Sequence, residues 1–170
     1  LDPRLAQAHA LLGQIEYNSQ RLKEAKTAWE RALELDPALS HVAERLQQVN
    51  EELPIESKFD RITQAYFDLR FEDQLERPVS YDVRNALVEA RRIVGSDFAY
   101  WPKRKLVVLL YSARNFRALR GETPDWLAGQ YDGKIRVPLP DGELDLTTMK
   151  QVLFHEYTHA LVHDLARGQC

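Results

Sequence analysis

His155, Glu156 and His159 stand together in "HEYTHALVHD" at residues 155–164, two histidines four apart with a glutamate directly after the first. On an α-helix a four-residue step brings the two imidazoles to within about 40° of each other, so they can converge on one ion from one face. Zinc suits two neutral imidazole nitrogens, accepts a carboxylate as third protein ligand, and keeps a fourth position for water. Glu156 lies about 100° round the helix from His155, beside such an ion and not on it. A carboxylate there can take a proton from metal-bound water as general base, while the ion polarises a scissile carbonyl. That is the mechanics of the HExxH pattern, with His155 and His159 as metal ligands and Glu156 as catalytic base.

The neighbouring polar residues are weaker candidates. His163 continues the four-residue spacing, but three ligands evenly spaced on one straight helix cannot surround an ion tetrahedrally. An HExxHxxGxxH site needs a glycine-mediated turn before its third histidine, and no such glycine is present, so His163 reads as a polar neighbour. Asp164 points near the opposite face from His155 and reads as a local helix contact. Asp141 and Glu143 precede the helix and receive no role. Tyr157 reads as core, and Trp29, Trp101 and Trp126 as core or rim aromatics.

A long helix must carry this pattern. Asp145 is placed to cap it, it should run to about Ala166, and Gly168 lies just past its end. Before it, "GQYDGKIRVPLP" sets Asp132-Gly133 between two short extended segments, a hairpin signal. Ile135 and Val137 alternate with Lys134 and Arg136, while Pro138 and Pro140 suit an edge strand. "KLVVLLYS" at 105–112 is short, apolar and β-branched, as expected of a central strand covered on both faces. "ARNFRALRG" then reads as a short helix with a solvated arginine face. In "YFDLRFE", Phe67, Leu69 and Phe71 alternate with Asp68 and Arg70, the signature of a half-buried strand. Ser80 can cap a helix whose buried stripe is Val83, Ala86, Leu87, Ala90, Ile93 and Val94, ended by Gly95. This order of elements specifies an α+β domain over residues 55–170.

The front of the chain has another texture. "LDP" occurs at 1–3 and again at 35–37, so Pro3 and Pro37 are 34 residues apart. Between them come Leu12-Gly13, Ala25, Trp29 and Ala32, with Gly13 letting a second helix approach closely. In period and in these positions, residues 6–39 resemble a tetratricopeptide repeat. His9 replaces the usual aromatic, and Glu16 sits where tyrosine is common, with Tyr17 beside it. "ALSHVAERLQQVNEEL" at 38–53 then forms a capping helix with the stripe Leu39, Val42, Ala43, Leu46 and Val49. Pro54 breaks the helical pattern, which places a repeat domain over residues 1–53. A repeat implies a partner-binding groove or scaffold, not chemistry.

The 170 residues, 44% hydrophobic and 29% charged, are ordinary for a globular chain and enough to bury a core. A net charge of −3 gives no electrostatic case for nucleic acid or acidic membranes. "WPKRK" at 101–105 is too short to change that and reads as a solvated loop. The longest apolar run, "LVVLLY", is far short of a membrane span. The one cysteine, Cys170, excludes an internal disulfide.

On "HEYTHAL", residues 55–170 resemble the gluzincin metallopeptidases, in particular the bacterial peptidase MA-like domains found behind tetratricopeptide repeats. The resemblance implies zinc bound by His155 and His159, Glu156 as base, and hydrolysis of a peptide or protein substrate. It implies that Lys134, Ile135, Arg136 and Val137 form the edge along which an extended substrate pairs. It also implies a third ligand, a glutamate in a Trp-x-x-Glu-Gly setting some twenty or more residues after His159, with an oxyanion-stabilising residue downstream. Neither has a counterpart in this chain, so the chain is expected to hold zinc weakly and turn over poorly by itself. A cell-envelope location follows from the resemblance alone. The competing expectation is a protein-binding scaffold whose peptidase-like domain is degenerate.

Overall fold

The computed structural model describes residues 3–72, 77–121, 129–139 and 145–167. The chain divides into two units, Leu1–Lys58 and Phe59–Cys170.

The first unit is three helices: α1 (Pro3–Asn18), α2 (Leu22–Leu35) and α3 (Ser40–Glu56). Gly13 makes the α1–α2 approach possible, since a Cβ there would lie 2.3 Å from Trp29 Cδ1. Trp29 is 1% exposed, donates from Nε1 to the Ala10 carbonyl at 3.1 Å, and packs on Tyr17 at 5.5 Å between ring centroids. Tyr17, and not Glu16, therefore fills the core position. Its hydroxyl donates to Glu52 Oε1 at 2.9 Å and accepts from Gln48 at 2.8 Å, which ties α1 to α3. Leu39, Leu46, Val42 and Val49 join the same core, while Ala43 faces solvent. The break expected at Pro54 is absent, and α3 runs through it to Glu56. A proline this close to a helix end removes one hydrogen bond, and the Ser57 N–H still reaches the Leu53 carbonyl at 3.1 Å.

In the second unit a five-stranded mixed sheet has the order β1 (Asp60–Thr63), β2 (Phe67–Phe71), β3 (Leu106–Ser112), β5 (Ile135–Leu139), β4 (Gln130–Tyr131). The three inner strands are parallel, and the two outer ones pair antiparallel. β3 is central, as its composition requires. β1 carries no apolar alternation of its own in "DRIT", and its pairing with β2 defines it. Three helices complete the unit: α4 (Arg77–Phe98), α5 (Ala113–Arg120) and α6 (Leu146–Arg167).

Both α4 and α6 pack on one sheet face. Val83, Leu87, Ala90 and Val94 of α4, and Met149, Leu153, Tyr157, Ala160 and Leu161 of α6, meet inward residues of β2, β3 and β5. Val107, Leu109 and Tyr111 turn to the other face against Phe116 of α5. Two boundaries differ from expectation. Ser80 lies inside α4 and is buried, because the helix starts earlier with Pro78 in its first turn, where the missing N–H costs nothing. Gly95 does not end α4. It lies where Trp101 folds back on the helix, and a Cβ there would lie 2.1 Å from Trp101 Nε1.

Asp68 was expected to face solvent. It is 4% exposed, bridged by Arg61 at 2.6 and 3.0 Å and by Arg70 at 3.1 Å. The strand is buried on both faces, so its carboxylate is matched by guanidinium groups within the sheet.

Candidate metal centre

α6 is the element that positions the chemistry. Asp145 caps it as the sequence indicates, accepting from the backbone N–H of Thr147 at 3.0 Å and of Thr148 at 3.2 Å. The Thr148 hydroxyl bond and these amide bonds hold the Asp145 carboxyl below its ordinary value. The buried stripe of α6 fixes its rotation, and Tyr157 anchors it edge-to-face on Phe67 at 6.2 Å. His155 and His159 are thereby left exposed on the outer side, while Glu156 turns inward.

The two imidazoles converge. His155 Nε2 and His159 Nε2 are 3.0 Å apart, with ring centroids at 4.5 Å and planes at 83°. Two zinc–nitrogen bonds of about 2.0–2.1 Å at a tetrahedral angle separate the nitrogens by about 3.3 Å. The observed spacing is within a few tenths of an ångström of that value. Among the described residues no third histidine, cysteine, aspartate or glutamate joins the pair.

Glu156 is 4% exposed, and burial raises its carboxyl above the ordinary glutamate value, with the nearby His155 opposing. Its Oε2 has no hydrogen-bond partner among the described residues. The other side of the carboxylate lies under Gly129, the residue before β4. A Cβ at 129 would meet Glu156 Cγ at 2.8 Å and Oε1 at 2.9 Å. Sequence reading passed over Gly129, because "GQYDG" carries a hairpin signal that accounts for its glycines locally. Nothing in the pattern shows that a side chain 27 positions later occupies the space above it.

Three expectations are corrected. β5 is not the outermost strand of the sheet: it lies between β3 and β4, which pairs with Ile135 and Arg136, and Lys134, Ile135, Arg136 and Val137 are at most 1% exposed. The turn at Asp132-Gly133, with Gly133 at φ 106°, folds β4 back to pair Tyr131 with Ile135 and Gln130 with Arg136. The rim strand near α6 is therefore β4. Asp164 makes no local helix contact but accepts from Arg104 Nε at 3.0 Å and from the Tyr100 hydroxyl at 2.9 Å. Arg104, expected in a solvated loop, also donates to the Tyr131 hydroxyl at 2.8 Å, linking α6 to β4. His163 packs edge-to-face on Tyr131 at 5.5 Å, its Nδ1 3.4 Å from that hydroxyl. Trp126, Pro140, Asp141, Glu143 and Gly168 lie outside the described residues.

The first unit presents a different kind of site. A groove of about 670 Å³ opens between α1 and α3, lined among others by Gln7, Leu11, Gln14, His41 and Arg45. No described helix is long and apolar enough to cross a membrane.

Residues 6–39 match the tetratricopeptide repeat family. No curated protein and no solved structure matches the chain.

Proposed function

We propose that this chain is a protein-binding tetratricopeptide module whose second unit carries the metal-binding helix of a zinc-dependent peptidase. The family match over residues 6–39 carries the protein-binding part. The groove between α1 and α3 supports it, with amide, imidazole and guanidinium groups beside Leu11, a lining suited to an extended polypeptide. Titrating labelled peptides against the chain tests this. Chemical-shift changes confined to Gln7, Leu11, Gln14 and Arg45 are expected, and no perturbation there by any peptide would sink the reading.

The peptidase part is a separate reading, carried by the 3.0 Å approach of the two Nε2 atoms with a buried carboxylate beside them. When bound, zinc supplies a Lewis acid that polarises a carbonyl and acidifies its water. The chain's own part is to hold the ion at His155 Nε2 and His159 Nε2, and to take a proton at Glu156. Burial makes that carboxyl a stronger base than an exposed glutamate. The resemblance assigns the third ligand to a downstream glutamate. Zinc titration of this chain and of a version extended by that region is the test. Weak one-to-one binding, tightened by the extension and lost in His159→Ala, is the expected result. Indifference of zinc affinity to His159→Ala in both versions would leave only the protein-binding module.

A further inference from the structure

β4 is a strand of two residues, and sheet pairing alone gives so short a strand little hold. Its partners in β5 are Arg136 opposite Gln130 and Ile135 opposite Tyr131. The strand nevertheless has a demanding place, because Gly129 at its start closes over Glu156. A Cβ at 129 would meet Glu156 Cγ at 2.8 Å and Oε1 at 2.9 Å, so bare backbone lies directly on the carboxylate. With that backbone against it, Glu156 is 4% exposed.

Tyr131 adds a hold from its side chain. The ring packs edge-to-face on His163 of α6, with centroids 5.5 Å apart. The hydroxyl accepts from Arg104 Nη2 at 2.8 Å and lies 3.4 Å from His163 Nδ1. Arg104 is itself fixed, donating from Nε to Asp164 Oδ1 at 3.0 Å, while the other oxygen of Asp164 accepts from the Tyr100 hydroxyl at 2.9 Å. One nitrogen of the guanidinium thus grips α6 and another grips β4. The strand is tied to the helix at two levels, by the Gly129 backbone at Glu156 and by the Tyr131 side chain about two turns later.

We propose that Tyr131 is a positioning residue for Glu156. Its hydroxyl, anchored through Arg104 to Asp164, holds β4 down on α6 and so sets how often the carboxylate meets water. As a role in catalysis this rests on the peptidase reading. The cover itself belongs to the metal-free chain and is measured there, so a failure of zinc to bind and a failure of the cover are separate results.

The test is carboxyl labelling of the full chain by a carbodiimide and an amine, without zinc, read residue by residue by mass spectrometry. A buried carboxylate reacts only while it is uncovered, so its rate reports the opening equilibrium. Tyr131→Phe keeps the ring and removes the hydroxyl, and one lost hydrogen bond shifts such an equilibrium by about fivefold. Glu156 is therefore expected to label about fivefold faster in Tyr131→Phe, with the Gln130 amide exchanging faster in step. Asp68, a carboxylate of the same unit that is also 4% exposed, should label at its original rate. That control separates loss of the cover from a general loosening. In an Arg104→Ala background the effect of Tyr131→Phe should shrink, because the donor to the hydroxyl is already gone. An unchanged Glu156 rate in Tyr131→Phe overturns the proposal. So does a parallel rise at Asp68, or the whole effect persisting in the Arg104→Ala background.

Discussion

Glu156 is held in a place that makes it a good base and a poor contributor to stability. Its raised folded value means that the native state binds the proton more tightly than the unfolded chain, whose glutamates titrate near about 4.3. Stability is therefore greatest in acid and falls as pH rises from that value through the raised one. Glu156→Gln removes the buried charge, so it should raise the melting temperature at pH 7, with the gain shrinking toward pH 4. Under the peptidase reading the same variant should lose hydrolysis by roughly 10²- to 10⁴-fold with zinc affinity retained. Gly129 belongs to the same argument. Gly129→Ala forces a methyl against Glu156 Cγ and Val152, at a cost of about 1–3 kcal/mol. Denaturant melts should show that loss, and exchange or hydrolysis measurements should show a displaced carboxylate with the histidine pair undisturbed.

The site depends on α6 at the scale of elements, and α6 is held at both ends. Asp145→Ala deletes the acceptor for the first-turn amides. Because the folded carboxyl is depressed, its contribution is complete above the ordinary aspartate value of about 3.9 and fades as pH falls through the lower folded value. The variant should melt below the parent at pH 7, and the two should converge toward pH 2–3. At the other end, Arg104→Ala removes the bonds to Asp164 and Tyr131, both part-buried, at a cost of about 1 kcal/mol. Exchange should quicken first near Asp164, before the core residues of the helix. α6, with its stripe and its Asp145 cap, was legible in the sequence because each residue's role repeats locally, and so was the stripe of α3, though not its passage through Pro54. β1 was not, since its four residues gain their meaning only from pairing with β2. The strand taken for an edge failed for a similar reason. Alternation identifies a strand and its faces, but the order of strands in a sheet comes from contacts distant in sequence. The Arg104–Asp164 pair, 60 residues apart, left no trace in either local pattern.

For the molecule as a whole, the groove and the histidine pair belong to different units, and each site is built from residues of one unit alone. Under the proposed readings, single substitutions should therefore separate peptide binding from zinc binding. Arg45→Glu should weaken peptide binding by about tenfold, as loss of a charge-assisted contact does, with zinc affinity unchanged. His159→Ala should do the reverse. Fold class and repeat period were legible in the sequence, as was the spacing of the histidines, because all three are periodic properties. No third metal-ligating side chain beside the histidine pair was legible in the sequence, and none joins it among the described residues.

The glycines beneath the indole rings of Trp29 and Trp101 have an optical consequence. Gly13 presses Trp29 into a fully desolvated setting, while Trp101 rests on Gly95 with 44% of its surface open. The first indole should emit at short wavelength and resist acrylamide, and the second should emit further to the red and be quenched readily. Once Trp126 is replaced by phenylalanine, the remaining spectrum is a sum of one emitter per unit. The chain then carries its own two-colour gauge, in which the melting of the repeat and the melting of the sheet can be followed in the same cuvette.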